Sequence, residues 1–225
     1  MEPVTIHDET GISDEVARAI SRRYASRFLQ GYVKSKVASD PVYRAVLARL
    51  RGLAGPLLDV GCGIGLLGQI VRASGLSLEV LGVDFDERKI DAAKRATAGI
   101  DGLRFELGDA RQRREFAGSV VLLDLLHYFR DDEQREILEN AASYARPGDA
   151  VIIRDCINDG SWRYRATWLE ETFATSFGWL RGERLEFPTA ESVGSVFRGR
   201  GFDEEVVPLW GRTPFNNHLL TFRKR

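Results

Sequence analysis

The chain is poor in several residue types whose abundance would have set its class. Its 225 residues include only two cysteines, three histidines and one methionine. Cys62 and Cys156 allow at most one disulfide, and no Cys-x-x-Cys or Cys/His spacing suggests zinc; no carboxylate set suggests another metal, so none is expected. Proline is limited to seven residues, and no Pro/Gly/Ser-rich linker divides the chain. Neither charge sign dominates: 32 Lys and Arg face 33 Asp and Glu, a formal net charge of −1. That balance lacks the broad positive field that draws nucleic acid. Long apolar runs are missing too. Val120 to Leu126 is interrupted by Asp124 and is far too short to span a bilayer. The N-terminal stretch is acidic, without the basic-then-apolar order of a signal peptide. A soluble protein of the reducing cytoplasm is expected.

What is present suits a globular enzyme. The hydrophobic share is 44% and the aromatic share 10%, which excludes disorder along the whole chain. Ser13 reads as the cap of a first helix carrying Val16, Ile20, Tyr24 and Phe28, and Asp40-Pro41 opens a second that Gly52 stops. From Leu57 strands and helices alternate. Strands are expected at Leu57–Val60, Leu78–Asp84, Leu103–Glu106, Val120–Asp124 and Ala150–Asp155, with helices between them. Continuous apolar runs in these strands indicate burial on both faces, as in a parallel sheet between helix layers. The expected fold is therefore α/β, a doubly wound sheet with ligands at the C-terminal strand edge. Glu204–Leu209 and His218–Phe222 read as a closing antiparallel hairpin, which brings the sheet to seven strands.

The strongest local signal is Leu57-Leu58-Asp59-Val60-Gly61-Cys62-Gly63-Ile64-Gly65. Glycines at alternate positions after a buried strand let the backbone turn sharply and approach a ligand closely. Gly63-x-Gly65-x-x-Gly68 formally satisfies a dinucleotide fingerprint, which would make the chain an NAD(P)-dependent oxidoreductase. Asp59-x-Gly-x-Gly-x-Gly instead resembles motif I of the class I S-adenosylmethionine (SAM)-dependent methyltransferases. Gly82-Val83-Asp84-Phe85-Asp86, Gly108-Asp109-Ala110, Leu122 to Tyr128 and Ala145 to Ala150 resemble, in order, that family's later segments. The terminal hairpin is also the family's, and a NAD fold explains neither it nor Asp59.

The resemblance implies SAM as cofactor and assigns roles. Gly61, Cys62 and Gly63 would pack against the methionine part, with Asp59 orienting the loop or meeting the amine. Asp84 would accept from the ribose hydroxyls and Phe85 would pack on the adenine. Asp109 would accept from the adenine amino group, and the Ala110 amide would donate to the ring. The backbone at Asp124 and Leu125 would lie beside the amine and sulfonium. Residues 1–52 would form a helical cap over the cofactor site and residues 53–225 the SAM-binding domain. Tyr32, Lys34 and Lys36 offer partners for the SAM carboxylate, or simply a solvated helix end.

The implied activity is methyl transfer to a small molecule, at an oxygen of an aryl or acyl/lipid-like acceptor; a non-catalytic SAM-binding protein is the alternative. Tyr32–Lys36, Asp40–Tyr43 and Thr213–Asn217 are similar to stretches of bacterial methyltransferases of lipid or aryl-polyene-type biosynthesis. His127, after the fourth strand, is the candidate general base, or else a structural histidine; Asp155 at the end of the fifth strand is its rival. His7 and His218 have weaker claims. An aromatic stretch from Trp162 to Trp179 is expected to line an apolar pocket, with Arg163 and Arg165 available to an acidic or carrier-borne group. The Asn/Asp-Pro-Pro-Tyr sequence of nucleic-acid amino-group methylation is absent, and Asp124-Leu125-Leu126-His127 stands in its place.

Overall fold

The computed structural model describes residues 12–165, 185–210 and 215–225. The chain divides into two compact units, the first ending at Ala110 and the second beginning at Arg111. Helices α1 (Asp14–Ser21), α2 (Arg27–Ser39) and α3 (Val42–Leu50) open the first unit. They are followed by β1 (Leu57–Val60), α4 (Leu66–Ala73), β2 (Val80–Asp84), α5 (Glu87–Ala96) and β3 (Leu103–Leu107). The second unit carries β4 (Ser119–Leu123), a 3-10 turn at Leu126–Tyr128, α6 (Asp131–Tyr144) and β5 (Ala150–Cys156). It closes with α7 (Ala190–Phe197), β6 (Phe202–Pro208) and β7 (Asn217–Lys224). The seven strands make the mixed sheet expected from the alternating pattern, β3-β2-β1 from the first unit and β4-β5-β7-β6 from the second.

In the first unit all three strands run parallel, with Leu57 beside Val80 and Val80 beside Leu103. Every residue of β1 is buried, Asp59 included, as in a strand covered on both faces. In the second unit β4 and β5 are parallel and β7 runs antiparallel to both β5 and β6. The hairpin is packed by rings. Phe197 of α7 stacks on Phe222 of β7 at 3.8 Å between centroids, and both are fully buried. Truncating either to alanine would cost about 3–5 kcal/mol.

The N-terminal reading needs one correction. A single helix through Val16, Ile20, Tyr24 and Phe28 is not formed. Ser13 caps α1 as expected, but the helix ends at Ser21 and Ser26 caps a new one, its Oγ accepting from the Leu29 amide. A serine hydroxyl satisfies an amide that the helix end leaves unpaired, so Ser26 restarts the helix in a new direction. Tyr24 falls in the connection and is buried, whereas Phe28 is 62% exposed. Asp40 caps as expected, its Oδ1 accepting from the Val42 amide at 2.9 Å.

Candidate functional site

The loop after β1 is held by its own amides. Gly61 N–H and Cys62 N–H both donate to the Val83 carbonyl, at 2.7 and 3.0 Å, and Gly63 N–H donates to Asp84 Oδ2 at 2.9 Å. Gly65 N–H donates to the Cys62 carbonyl at 3.0 Å. Gly61, Gly63 and Gly65 take φ of 76°, 54° and 79°, a region that penalises any Cβ. Gly65 is needed for space as well, since a Cβ there would lie 2.8 Å from the Phe105 ring. At Gly63 an added Cβ would meet nothing within 4 Å, so this stretch of backbone faces open space.

Asp84 ends β2 with its carboxylate oriented from two sides. Oδ2 accepts from Gly63 N–H, and Oδ1 accepts from Asp86 N–H at 2.9 Å. Each carboxylate oxygen keeps a further lone pair, the requirement for accepting from a vicinal diol. Its carbonyl accepts from Gly108 N–H at 3.0 Å, bringing the Gly108-Asp109-Ala110 segment to the same edge. Phe85 stands 73% exposed beside it, an apolar face available to a flat ring. Asp59 lies buried in β1. Burial, reinforced by the Asp84 charge, pushes its carboxyl up to about 7. A cationic ligand group brought near would draw it back down. The Cys62 side chain turns into a core cluster with Ile90, Ala93 and Phe105, and burial raises its thiol well above the ordinary value. Its Sγ also donates to the Gly63 carbonyl at 3.7 Å, so side chain and backbone both brace the loop. These features fit an adenosyl cofactor: an oriented diol acceptor, an exposed ring platform and an open glycine backbone. Lys36 pairs with Asp40 at 2.7 Å, whereas Tyr32 and Lys34 are exposed.

Arg23, Tyr24 and Gln69 were not foreseen, yet they reach the same loop. Tyr24 Oη–H donates to the Ile64 carbonyl at 2.8 Å, and Gln69 Nε2 donates to Tyr24 Oη at 2.7 Å. Gln69 Nε2 also donates to the Gly65 carbonyl at 3.3 Å, and Arg23 Nη1 donates to Gln69 Oε1 at 3.0 Å.

In the second unit the two rival bases meet. His127 Nδ1 and Asp155 Oδ1 are 2.6 Å apart, and both residues are buried. Asp155 also accepts from Leu126 N–H through Oδ2 and from Cys156 N–H through Oδ1, each at 2.8 Å. The carboxylate is thus fixed by two amides and aligned on the imidazole. Around His127 lie Tyr128, with ring centroids 4.0 Å apart, and Phe187, stacked at 5.4 Å; Tyr164 packs edge-on against Phe187. Asp124 takes φ of 53°, its amide donates to the Arg154 carbonyl, and its carboxylate pairs with the buried Arg154 guanidinium. Leu125 follows it into the 3-10 turn. His218 sits opposite Asp155 in the β5–β7 register, its Nδ1 at 3.1 Å from the Asn216 carbonyl, with Trp210 edge-on. Arg163 lies over both Trp162 and Trp210, at 4.8 and 4.7 Å. His7, most of the aromatic stretch and residues 211–214 lie outside the described residues. Among the described residues no group of three metal-ligating side chains is found, and no helix is long and apolar enough to cross a membrane.

Residues 57–148 match the family described as methyltransferase domain. The ubiquinone/menaquinone biosynthesis C-methyltransferase of Desulfotalea psychrophila is 24% identical over 163 residues, covering 66% of each chain. The isoflavone 7-O-methyltransferase of Glycyrrhiza echinata is 29% identical over 161 residues, 69% of this chain and 43% of that protein. The chain therefore spans 43% to 66% of these two curated relatives. Among solved structures, the magnesium protoporphyrin IX methyltransferase of Synechocystis PCC 6803 with bound SAH superposes with a TM-score of 0.65 at 19% identity, covering 94% of both chains.

Proposed function

We propose that the chain is a class I SAM-dependent methyltransferase that binds SAM and methylates a small aromatic acceptor at oxygen, a reading supported by the methyltransferase-domain match over residues 57–148. The observation that carries this reading is the buried His127–Asp155 pair at 2.6 Å. SAM, when bound, supplies an electrophilic methyl carbon and its own leaving group. The protein's task is then to hold the cofactor, align the acceptor and take its proton.

Asp84 accepts from the ribose hydroxyls, with its oxygens already aimed by Gly63 and Asp86. Gly61, Cys62 and Gly63 offer backbone to the methionine part, and Asp59 a carboxylate to its ammonium. Phe85, Asp109 and Ala110 are assigned to the adenine. The backbone of Asp124 and Leu125 keeps the assignment given by the family resemblance. Residues 1–52 act as the cofactor cap, a reading supported by Tyr24 donating to Ile64.

Asp155 is a positioning residue. It accepts the Nδ1 proton of His127, which leaves the neutral ring with its lone pair on Nε2. Nε2 removes the proton from the acceptor hydroxyl. The rings of Tyr128, Phe187 and Tyr164 around His127 support a flat aromatic acceptor. Balanced charge supports a small molecule over nucleic acid, and two buried free cysteines support a reducing cytoplasm.

Calorimetric titration with SAM, SAH and NAD, followed by a labelled-methyl screen over phenols, carboxylic acids and carrier-bound acyl groups, tests this. SAM and SAH should bind and NAD should not, and a phenol should take the label at oxygen. NAD binding without SAM binding overturns the cofactor; label on carbon overturns the acceptor atom.

A further inference from the structure

We propose that Arg23, Tyr24 and Gln69 are positioning residues that set cofactor affinity by locking one peptide of the glycine loop, so that the loop's binding form depends on docking of the segment after α1. This inference rests on the SAM reading above.

The peptide between Ile64 and Gly65 is pinned at both ends. Its N–H donates to the Cys62 carbonyl and its C=O accepts from Tyr24 Oη. Pinning matters at this place because the peptide is followed by a glycine. A flip of the Ile64–Gly65 plane changes ψ of residue 64 and φ of residue 65, and glycine tolerates either sign of φ at little cost. Loop strain alone therefore does not select one orientation. The tyrosine hydroxyl does, since the flipped state would leave a buried hydroxyl facing an N–H, donor against donor.

Gln69 fixes the tyrosine in turn. It is fully buried in the first turn of α4, and its Nε2 donates both to Tyr24 Oη and to the Gly65 carbonyl. Its Oε1 accepts from Arg23, which settles which end of the amide faces the loop. With Nε2 as donor, Tyr24 must use its own proton on Ile64. The relay Arg23→Gln69→Tyr24→Ile64 thus has one direction. It joins a half-buried residue of the turn after α1 to the carbonyl one residue beyond Gly63, where the backbone faces open space. Thermodynamic reciprocity follows: if docking of this segment favours the binding loop, the bound cofactor must favour docking.

The test uses the whole chain with Tyr24→Phe, Gln69→Leu, the double variant and Arg23→Met, titrated with SAH and followed by hydrogen exchange with and without it. Tyr24→Phe should weaken SAH binding about five- to tenfold. The double variant should bind no worse than Gln69→Leu alone, because both act through one relay. KM for SAM should rise while kcat at saturating SAM holds. Without ligand, amides 61–65 should exchange faster in Tyr24→Phe. In the wild type SAH should slow exchange in both the loop and α1, and in the variant this should fail in α1. Arg23→Met, on the outer end of the relay, should weaken binding about two- to threefold and carries the test if the buried variants do not fold. Unchanged SAH affinity in folded Tyr24→Phe, or additive losses in the double variant, overturns the relay while leaving the SAM reading intact. A wild-type chain that binds neither SAM nor SAH overturns both.

Discussion

In the first unit the candidate site is a backbone loop set beside the Asp84 carboxylate: four loop amides are tied down, and three glycines at positive φ leave one stretch open. In the second it is made of two side chains 28 residues apart, brought to 2.6 Å by neighbouring strands. The two constructions suit different tasks. A cofactor shared by a whole family can be met by peptide groups, which every sequence provides. Removal of a proton needs a titratable group in one orientation, which only particular side chains provide. Substitutions should separate the two regions, with turnover lost in the second and affinity lost in the first.

The largest expected effect is at His127. His127→Ala should lower turnover about 10²- to 10⁴-fold on an acceptor whose hydroxyl is un-ionised at the assay pH, with SAH affinity unchanged. Asp155→Asn should approach the same loss, since an amide can present its NH₂ to Nδ1 and leave the proton on Nε2. Wild-type turnover in either variant on such an acceptor would reduce the pair to a structural bond. An acceptor ionised at the assay pH should largely rescue His127→Ala.

Next in size is a contrast within the glycine loop. Gly65→Ala places a Cβ at φ 79° and 2.8 Å from Phe105, and should destabilise the fold by about 2 to 4 kcal/mol in denaturant titration. Gly63→Ala meets no neighbour and should lose only about 1 kcal/mol. Its larger effect should fall on SAH affinity. Equal stability losses at the two positions would mean that Phe105 yields and that packing is not why Gly65 is glycine.

How far the sequence discloses each region follows the same division. The glycine loop, Asp84 and Asp109 are contiguous signals on strand ends, and β1 has the bounds its apolar run predicts. His127 and Asp155 were each visible as a base, but as rivals. Their partnership depends on β4 and β5 being neighbours, which no local pattern states. Gln69 and Tyr24 lie 45 residues apart and read locally as one polar residue in a helix and one aromatic in another. The break between α1 and α2 was masked by apolar spacing that continues past it, although Ser26 is a legible cap. Helix α7 has a legible start, since Thr189 and Ser192 form its capping box ahead of Val193, Val196 and Phe197.

Asp84→Ala should weaken SAH binding about ten- to hundredfold, from the loss of charge-assisted hydrogen bonds to the ribose. Gly63 and Asp86 amides lose their acceptor as well, so part of the loss belongs to the loop. Asp84→Asn separates the parts, since its carbonyl oxygen retains one acceptor. An Asn variant as weak as Ala would assign the effect to the carboxylate's second oxygen and charge; an unchanged dissociation constant in both would make Asp84 a brace for the Gly63 and Asp86 amides and nothing more.

The last expected effect is a pH dependence from Asp59. Its carboxyl titrates at about 7 in the folded chain against an ordinary value of 3.8. Between those values the folded chain binds more protons than the unfolded one, so Asp59's contribution to stability falls as pH rises through that window and levels off above about 7. Ligand binding should run the other way. If the ionised carboxylate meets the ammonium of SAH, affinity should rise with pH up to about 7, by at most about tenfold per unit, and then flatten. Calorimetry in buffers of differing ionisation enthalpy should show up to one proton released on binding below pH 7. Asp59→Asn should remove both slopes, and its stability should exceed that of the wild type at pH 8. A wild type with pH-independent SAH affinity from pH 5 to 8 would show that no ligand charge reaches Asp59. The buried carboxyl would then serve only to shape the strand end from which the loop departs.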